Sequence, residues 1–163
     1  ATVRIYEKVQ SEHGNLGICL QAALHRTPDD LERLIPLGGH IRLCKGAYVE
    51  PPSVALQTDR EILAAYVRLL TVLMGAPGVR PAIATHDPTL IRMALDLGRE
   101  RREPFEFQLL YGVRADEQRR LALTGHDVRV YVPFGSAWYP YLTRRLAERP
   151  SNLWFFLRAL IGR

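Results

Sequence analysis

The sequence predicts an α/β fold in which parallel strands are joined by helical crossovers, and three observations predict it. Short apolar runs alternate with amphipathic helical stretches five times over, with short connections between them. The length of 163 residues suits about five such units, because an eight-unit barrel spends about 250 residues, or about 31 per unit. Polar side chains (Gln21, Lys45, Thr85, His86, Gln108 and Tyr131) recur at or near the C-terminal end of each apolar run, where parallel α/β folds gather their ligands. Part of a (β/α)8 barrel and an open doubly wound sheet both satisfy this count. No G-x-G-x-x-G follows any run, which counts against a dinucleotide fold of the second kind.

The opening residues read as an amphipathic helix through Val3, Tyr6 and Val9. Residues 16–21 form the first strand. Thr27-Pro28-Asp29-Asp30 then supplies an N-cap, a proline at the first helical position and acidic residues in the first turn. Leu31, Leu34 and Ile35 mark that helix's buried face. Residues 41–46 are the second strand, followed by a longer helix over 59–74 with Ile62, Leu63, Tyr66, Leu69, Leu70 and Leu73 on one side. Residues 81–87 run from a third strand into a turn, where Asp87-Pro88 opens a helix that Gly98 ends. Residues 105–110 are the fourth strand, with a helix through Glu117 and Leu123 that stops at Gly125. Residues 128–133 are the fifth strand. Helices over 138–148 and 152–161, separated by Pro150, close the chain.

Composition narrows the function. Hydrophobic residues make up 47% and charged residues 24%, an ordinary globular balance that excludes disorder. Lys+Arg total 22 against 17 Asp+Glu, a formal charge of +5. The arginines are spread, with no Lys/Arg block of nucleic-acid type, so the charge permits an anionic partner and also reads as a basic surface that keeps the chain soluble. Cys19 and Cys44 belong to no C-x-x-C pair and read as small buried hydrophobes in a reducing compartment. No run reaches the length of a membrane span. His86 has no second ligand at metal spacing and reads as a neutral hydrogen-bonding residue. His13, His25, His40 and His126 read as surface loop positions.

Two groups of cations stand out. Arg42 and Lys45 are three residues apart near a strand end, on opposite faces unless the strand stops early at Gly46. Gly46-Ala47 offers a close backbone approach to a phosphate. Arg144 and Arg145 are helical neighbours about 100° apart, so both can border one anion, and guanidinium grips a carboxylate in bidentate fashion. Glu148 lies where it can pair with either, and Tyr141 can wall the same side.

Six segments carry a resemblance: Leu20-Gln21-Ala22, Arg42-Leu43-Cys44-Lys45-Gly46-Ala47-Tyr48, Ala84-Thr85-His86-Asp87, Phe105-Glu106-Phe107-Gln108-Leu109-Leu110-Tyr111-Gly112, Val130-Tyr131-Val132-Pro133-Phe134-Gly135 and Tyr141-Leu142-Thr143-Arg144-Arg145-Leu146-Ala147-Glu148. In order and spacing they resemble the signatures of proline dehydrogenase, most of all the single-function bacterial type, over essentially the whole chain. The resemblance implies a distorted (β/α)8 barrel that binds FAD and oxidises L-proline to Δ1-pyrroline-5-carboxylate in proline catabolism. A hydride would pass to flavin N5, and a quinone would take the electrons. It implies Arg42 beside N5 and Gln21 at the isoalloxazine edge. Lys45, Gly46 and Ala47 would lie along the ribityl-pyrophosphate, with Thr85, His86 and Gln108 as further FAD contacts. Arg144 and Arg145 would clamp the proline carboxylate, Glu148 would support them, and Tyr48, Leu110, Tyr131 and Tyr141 would wall the substrate. Ala23, Cys44 and Val49 depart from the family pattern.

The family's barrel begins upstream, so these residues are expected to supply the last five strand–helix units of one barrel domain, completed by its N-terminal part, in the same protein or as a separate polypeptide. The expected setting is the cytoplasm, with peripheral contact at the inner face of the membrane. Two other readings stay open: a Schiff-base aldolase using Lys45, and a non-catalytic half-barrel that binds a partner.

Overall fold

The computed structural model describes residues 2–46 and 50–135. Tyr48, Ala47, Tyr141, Arg144, Arg145, Glu148 and the two closing helices lie outside these residues. The described elements run α1 (Thr2–His13), β1 (Gly17–Gln21), α2 (Thr27–Leu34), a 3-10 turn (Ile35–Leu37), β2 (Gly39–Cys44), α3 (Asp59–Gly75), β3 (Val79–Ala84), α4 (Pro88–Gly98), β4 (Glu106–Leu110), α5 (Ala115–Leu123) and β5 (Asp127–Tyr131).

The five strands form one parallel sheet in the order β1-β2-β3-β4-β5. A doubly wound sheet needs a point where the strand order reverses. None occurs among the described strands, so their winding is that of a barrel wall. Right-handed crossovers taken in one direction leave every intervening helix on the same side of the sheet. Ile18, Leu20, Ile41, Leu43, Ile83, Phe107 and Leu109 face that side and are buried with Leu31, Leu34, Tyr66, Leu70, Leu73, Leu90, Ile91 and Leu121 from the helices. Register then fixes the opposite, inner face: Cys19 and Gln21, Arg42 and Cys44, Arg80, Ala82 and Ala84, Glu106, Gln108 and Leu110, Arg129 and Tyr131.

Local chemistry explains the helix boundaries. Thr58 and Glu61 close a reciprocal capping box at the start of α3. The Asp87 carboxylate caps α4 by accepting from the Thr89 and Leu90 amides, with Pro88 as the first helical residue. Tyr66 ties α3 to the sheet, its hydroxyl donating to the Leu43 carbonyl at 3.0 Å. Arg101 threads its guanidinium into the turn between α3 and β3, donating to the carbonyls of Met74, Ala76 and Val79.

Three expectations need correction. Thr27 is the first residue of α2 and not its cap: Arg26 holds the N-cap position, its side chain turned to the Asp30 carboxylate and not capping the first-turn amides, and the Thr27 hydroxyl donates to the Gln21 carbonyl at 2.6 Å. His40 is no loop residue but lies half-buried on β2, 3.5 Å from the Glu106 carboxylate. Cys19 is exposed, not buried, because strand alternation sends it to the inner face while Ile18 and Leu20 enter the core.

Candidate functional site on the inner face of the sheet

The inner face carries three arginines among the described residues, and two of them share one carboxylate. Glu106, 2% exposed, accepts two hydrogen bonds from Arg129 (Nε 2.8 Å, Nη2 3.1 Å), one from Gln108 Nε2 at 2.6 Å and one from Arg80 Nη2 at 3.4 Å. Burial pushes this carboxyl up, but the hydrogen bonds from Arg129 and Gln108 outweigh it and hold the group at about 2. His40 beside it is lowered, chiefly by burial. A carboxylate is acceptor-only, so Gln108 must present its NH2 to Glu106 and turn its carbonyl oxygen the other way. Asp127 takes a second bond from Arg80 at 3.0 Å.

Arg42 is different. It lies exposed on β2, opposite Cys19 on β1 and Ala82 on β3. Among the described residues it has no carboxylate partner. Its guanidinium sits on a strand paired on both sides, with the Cys19 thiol and no carboxylate beside it among the described residues.

At the C-terminal ends of the strands the chain turns tightly. Gly46 has φ +124, and a Cβ there would lie 2.9 Å from Ala23 Cβ and 3.4 Å from Gln21 Oε1. Only glycine lets the segment after β2 close on Gln21. The ladder between β1 and β2 runs on past the strands, with Ala22 and Ala23 amides donating to the Cys44 and Lys45 carbonyls. Leaving the strand, Lys45 reaches across to Asp87, Nζ to Oδ2 at 2.8 Å. Burial raises the Asp87 carboxyl, and the Lys45 and Thr89 hydrogen bonds reverse this and lower it. Thr85 is buried and its hydroxyl accepts from the Asp87 amide at 3.1 Å. His86 Nε2 accepts from the Leu110 amide at 2.9 Å, and its carbonyl accepts from Arg114 at 2.7 Å. Burial, with Arg114 nearby, lowers His86 to about 4, so the ring is neutral. Leu110 and Tyr131 face each other in register at the same end of β4 and β5.

The structure therefore brings Gln21, Arg42, Gln108, Leu110 and Tyr131 onto one face, with Lys45, Gly46, Thr85 and His86 at its rim. Lys45, Thr85 and His86 each spend a polar group on holding the rim loops together. Sequence reading missed Glu106, whose partners come from three other strands, and Asp87 as the partner of Lys45. The Phe105-Glu106-Phe107-Gln108 pattern held the only signal: a charge flanked by core aromatics on a strand must face the other side. Among the described residues no group of three or more His, Cys, Asp or Glu could hold a metal, and no helix is long and apolar enough to cross a membrane.

Comparison with known proteins adds sequence-wide likeness to this geometry. A family model described as proline dehydrogenase matches residues 2–158. Proline dehydrogenase 1 of Bacillus subtilis subsp. natto is 39% identical over 163 residues, covering 98% of this chain and 54% of that protein. Proline dehydrogenase of Deinococcus radiodurans is 38% identical over 168 residues, covering 98% of this chain and 53% of its own. Among solved structures, proline utilization A (PutA) from Bdellovibrio bacteriovorus, inactivated by N-propargylglycine, aligns with a TM-score of 0.81 at 27% identity, over 96% of this chain and 19% of that one. The chain spans about half the length of the curated relatives it matches.

Proposed function

The chain belongs to the proline dehydrogenase family, and from that premise we propose that it forms the closing five units of an FAD-binding (β/α)8 barrel that oxidises L-proline to Δ1-pyrroline-5-carboxylate. The observation that carries this reading is Arg42, the one inner-face arginine among the described residues without a carboxylate. An exposed guanidinium without a carboxylate partner among the described residues, on the same strand face as Gln21 and on the strand that leads into the Gly46 turn, fits a planar cofactor that becomes anionic on reduction.

A bound flavin would supply a hydride acceptor for the proline ring carbon next to nitrogen and a route for the electrons to a quinone. Arg42 supplies a cation where negative charge develops, on a strand paired on both sides. Gln21 hydrogen-bonds the cofactor's edge, and Gln108 offers the carbonyl oxygen that Glu106 leaves free. The rim formed by Lys45, Gly46, Thr85 and His86 holds the phosphate side, a role proposed for Ala47 as well. Arg144 and Arg145, steadied by Glu148, grip the proline carboxylate and fix one ring face toward the acceptor, so that orientation contributes much of the rate. Leu110 and Tyr131, with Tyr48 and Tyr141, exclude water from the transfer. The N-terminal part of the same barrel supplies the remaining strands, and the assembled enzyme works in the cytoplasm with peripheral membrane contact where it meets its quinone. Lys45 is engaged by the Asp87 carboxylate and only partly buried, whereas a Schiff-base lysine is activated by desolvation or by a neighbouring cation, so the aldolase reading gains no support.

The test is anaerobic mixing of the completed, flavin-loaded protein with L-proline. The visible flavin band should bleach and Δ1-pyrroline-5-carboxylate should form in equal amount. Loaded protein whose spectrum stays unchanged with proline would overturn the reading.

A further inference from the structure

Cys19 and Cys44 stand diagonally across the β1–β2 ladder: Cys19 is opposite Arg42, and Cys44 is opposite Gln21. Both sulfurs point to the inner face and approach to 3.7 Å. Their surroundings differ. Cys19 is exposed, with Arg42 as its neighbour across the ladder. Cys44 is half-buried and its S–H donates to the Leu20 carbonyl at 3.5 Å, within reach of Cys19 as well. No third metal-ligating side chain joins them among the described residues, so the pair is suited to thiol chemistry and not to a closed metal site.

The geometry points to a peroxide-reactive couple in which Cys19 is the attacking sulfur and Cys44 the resolving one, so that hydrogen peroxide converts the pair into a reversible disulfide joining β1 to β2. The electrostatics agree: the hydrogen bond from Cys44, with Arg42 adding to it, outweighs the partial desolvation of the sulfur by its neighbours and lowers Cys19 to about 7. The same bond and burial raise Cys44. At neutral pH one thiol is thus substantially the nucleophilic thiolate and the other keeps its proton.

In the first step the Cys19 thiolate attacks one peroxide oxygen. The O–O bond breaks, hydroxide leaves and Cys19 becomes the sulfenic acid. In the second, the Cys44 sulfur displaces that hydroxyl, which departs as water with the Cys44 proton. Two thiols and one peroxide give one disulfide and two waters. Because the residues are diagonal in register rather than directly facing, the disulfide forms with strain and is readily reduced again by small thiols. On β1, paired to only one other strand among the described residues, the backbone can yield to it.

Mass spectrometry of the purified full chain tests this without any flavin readout, so its outcome is separable from that of the proline reaction. After mild hydrogen peroxide and alkylation of the remaining thiols, tryptic peptides containing Cys19 and Cys44 should appear joined, lighter by two hydrogens than their sum, and should separate with dithiothreitol. Cys44→Ser should leave Cys19 as a sulfenic acid that dimedone traps, and Cys19→Ser should abolish both products. Before oxidation, Cys19 should be alkylated at pH 7 on the order of ten-fold faster than Cys44. Wild-type protein that oxidises Cys19 onward to sulfinic acid without any joined peptide, or that alkylates Cys44 first, would overturn the proposal.

Discussion

Arg42, Arg80 and Arg129 share a side chain, a face and a sheet, and their neighbours divide their work. Arg80 and Arg129 converge on Glu106, where each guanidinium offsets a buried charge. Arg42 has Ala82 and Cys19 beside it and no carboxylate among the described residues. A cation in that state contributes most when an anion forms in front of it. Arg42→Met should therefore slow flavin reduction by proline on the order of 100-fold with a much smaller change in KM. Stopped-flow reduction set against steady-state kinetics reads the split, and a change in KM alone contradicts the role. The carboxylate clamp predicts the reverse emphasis. Arg144→Met or Arg145→Met should each weaken proline binding by about 2–4 kcal/mol, and unchanged proline affinity in both variants removes the assignment.

At the scale of the element, Asp87 joins two structures with one side chain. One oxygen caps α4, accepting from the Thr89 amide at 2.9 Å, and the other receives Lys45 at 2.8 Å. Asp87→Ala should cost about 1–2 kcal/mol in urea unfolding. Asp87→Asn, which can still cap, should recover most of that, and equal losses for both would place the stability in the Lys45 pair instead. The contrast marks how far sequence reaches. Asp87-Pro88 was legible as a helix start because capping is local, and the five strands were legible because apolar runs and turn residues alternate over short windows. The Lys45–Asp87 pair spans 42 residues, and nothing in either segment announces the other. Cys19 was misread for a different reason: in Gly17-Ile18-Cys19-Leu20-Gln21 every residue is apolar or small until the last, which hides the alternation that puts Cys19 on the inner face. His40 was misplaced because β2 begins at Gly39, ahead of the apolar run that marked it. Of the site, Gln21, Arg42, Gln108, Leu110 and Tyr131 were legible as strand residues, while the Glu106 cluster, assembled from β2, β3, β4 and β5, was not.

The described residues form a wall with two unlike faces. Its helix side is a continuous apolar core, and its inner side is polar, with β1 and β5 each paired on one edge only among the described residues. Val132 and Phe134, 56% and 100% exposed, follow β5 and present apolar surface. Stability should follow pH in two stages. His86, with a folded value of about 4 against 6.5, is neutral in the native state. The unfolded chain binds the extra proton between those values, so stability falls as pH drops from about 6.5 to about 4. Glu106, at about 2 against 4.5, contributes stability that is complete above about 4.5 and is lost as pH falls toward 2. That second contribution is at most about 3 kcal/mol, and less to the extent that water screens the outer ends of Arg80 and Arg129. Urea midpoints between pH 7 and pH 3 should show both declines, and Glu106→Gln should flatten the lower one. The central claim, that the inner face rather than the helix side receives the cofactor, is tested most directly by FAD titration of the completed protein. Arg42→Met and Gln21→Ala should weaken FAD binding on the order of ten-fold or more, while Arg92→Met on the outer side of α4 should leave it unchanged. Wild-type affinity in both inner-face variants would contradict the account.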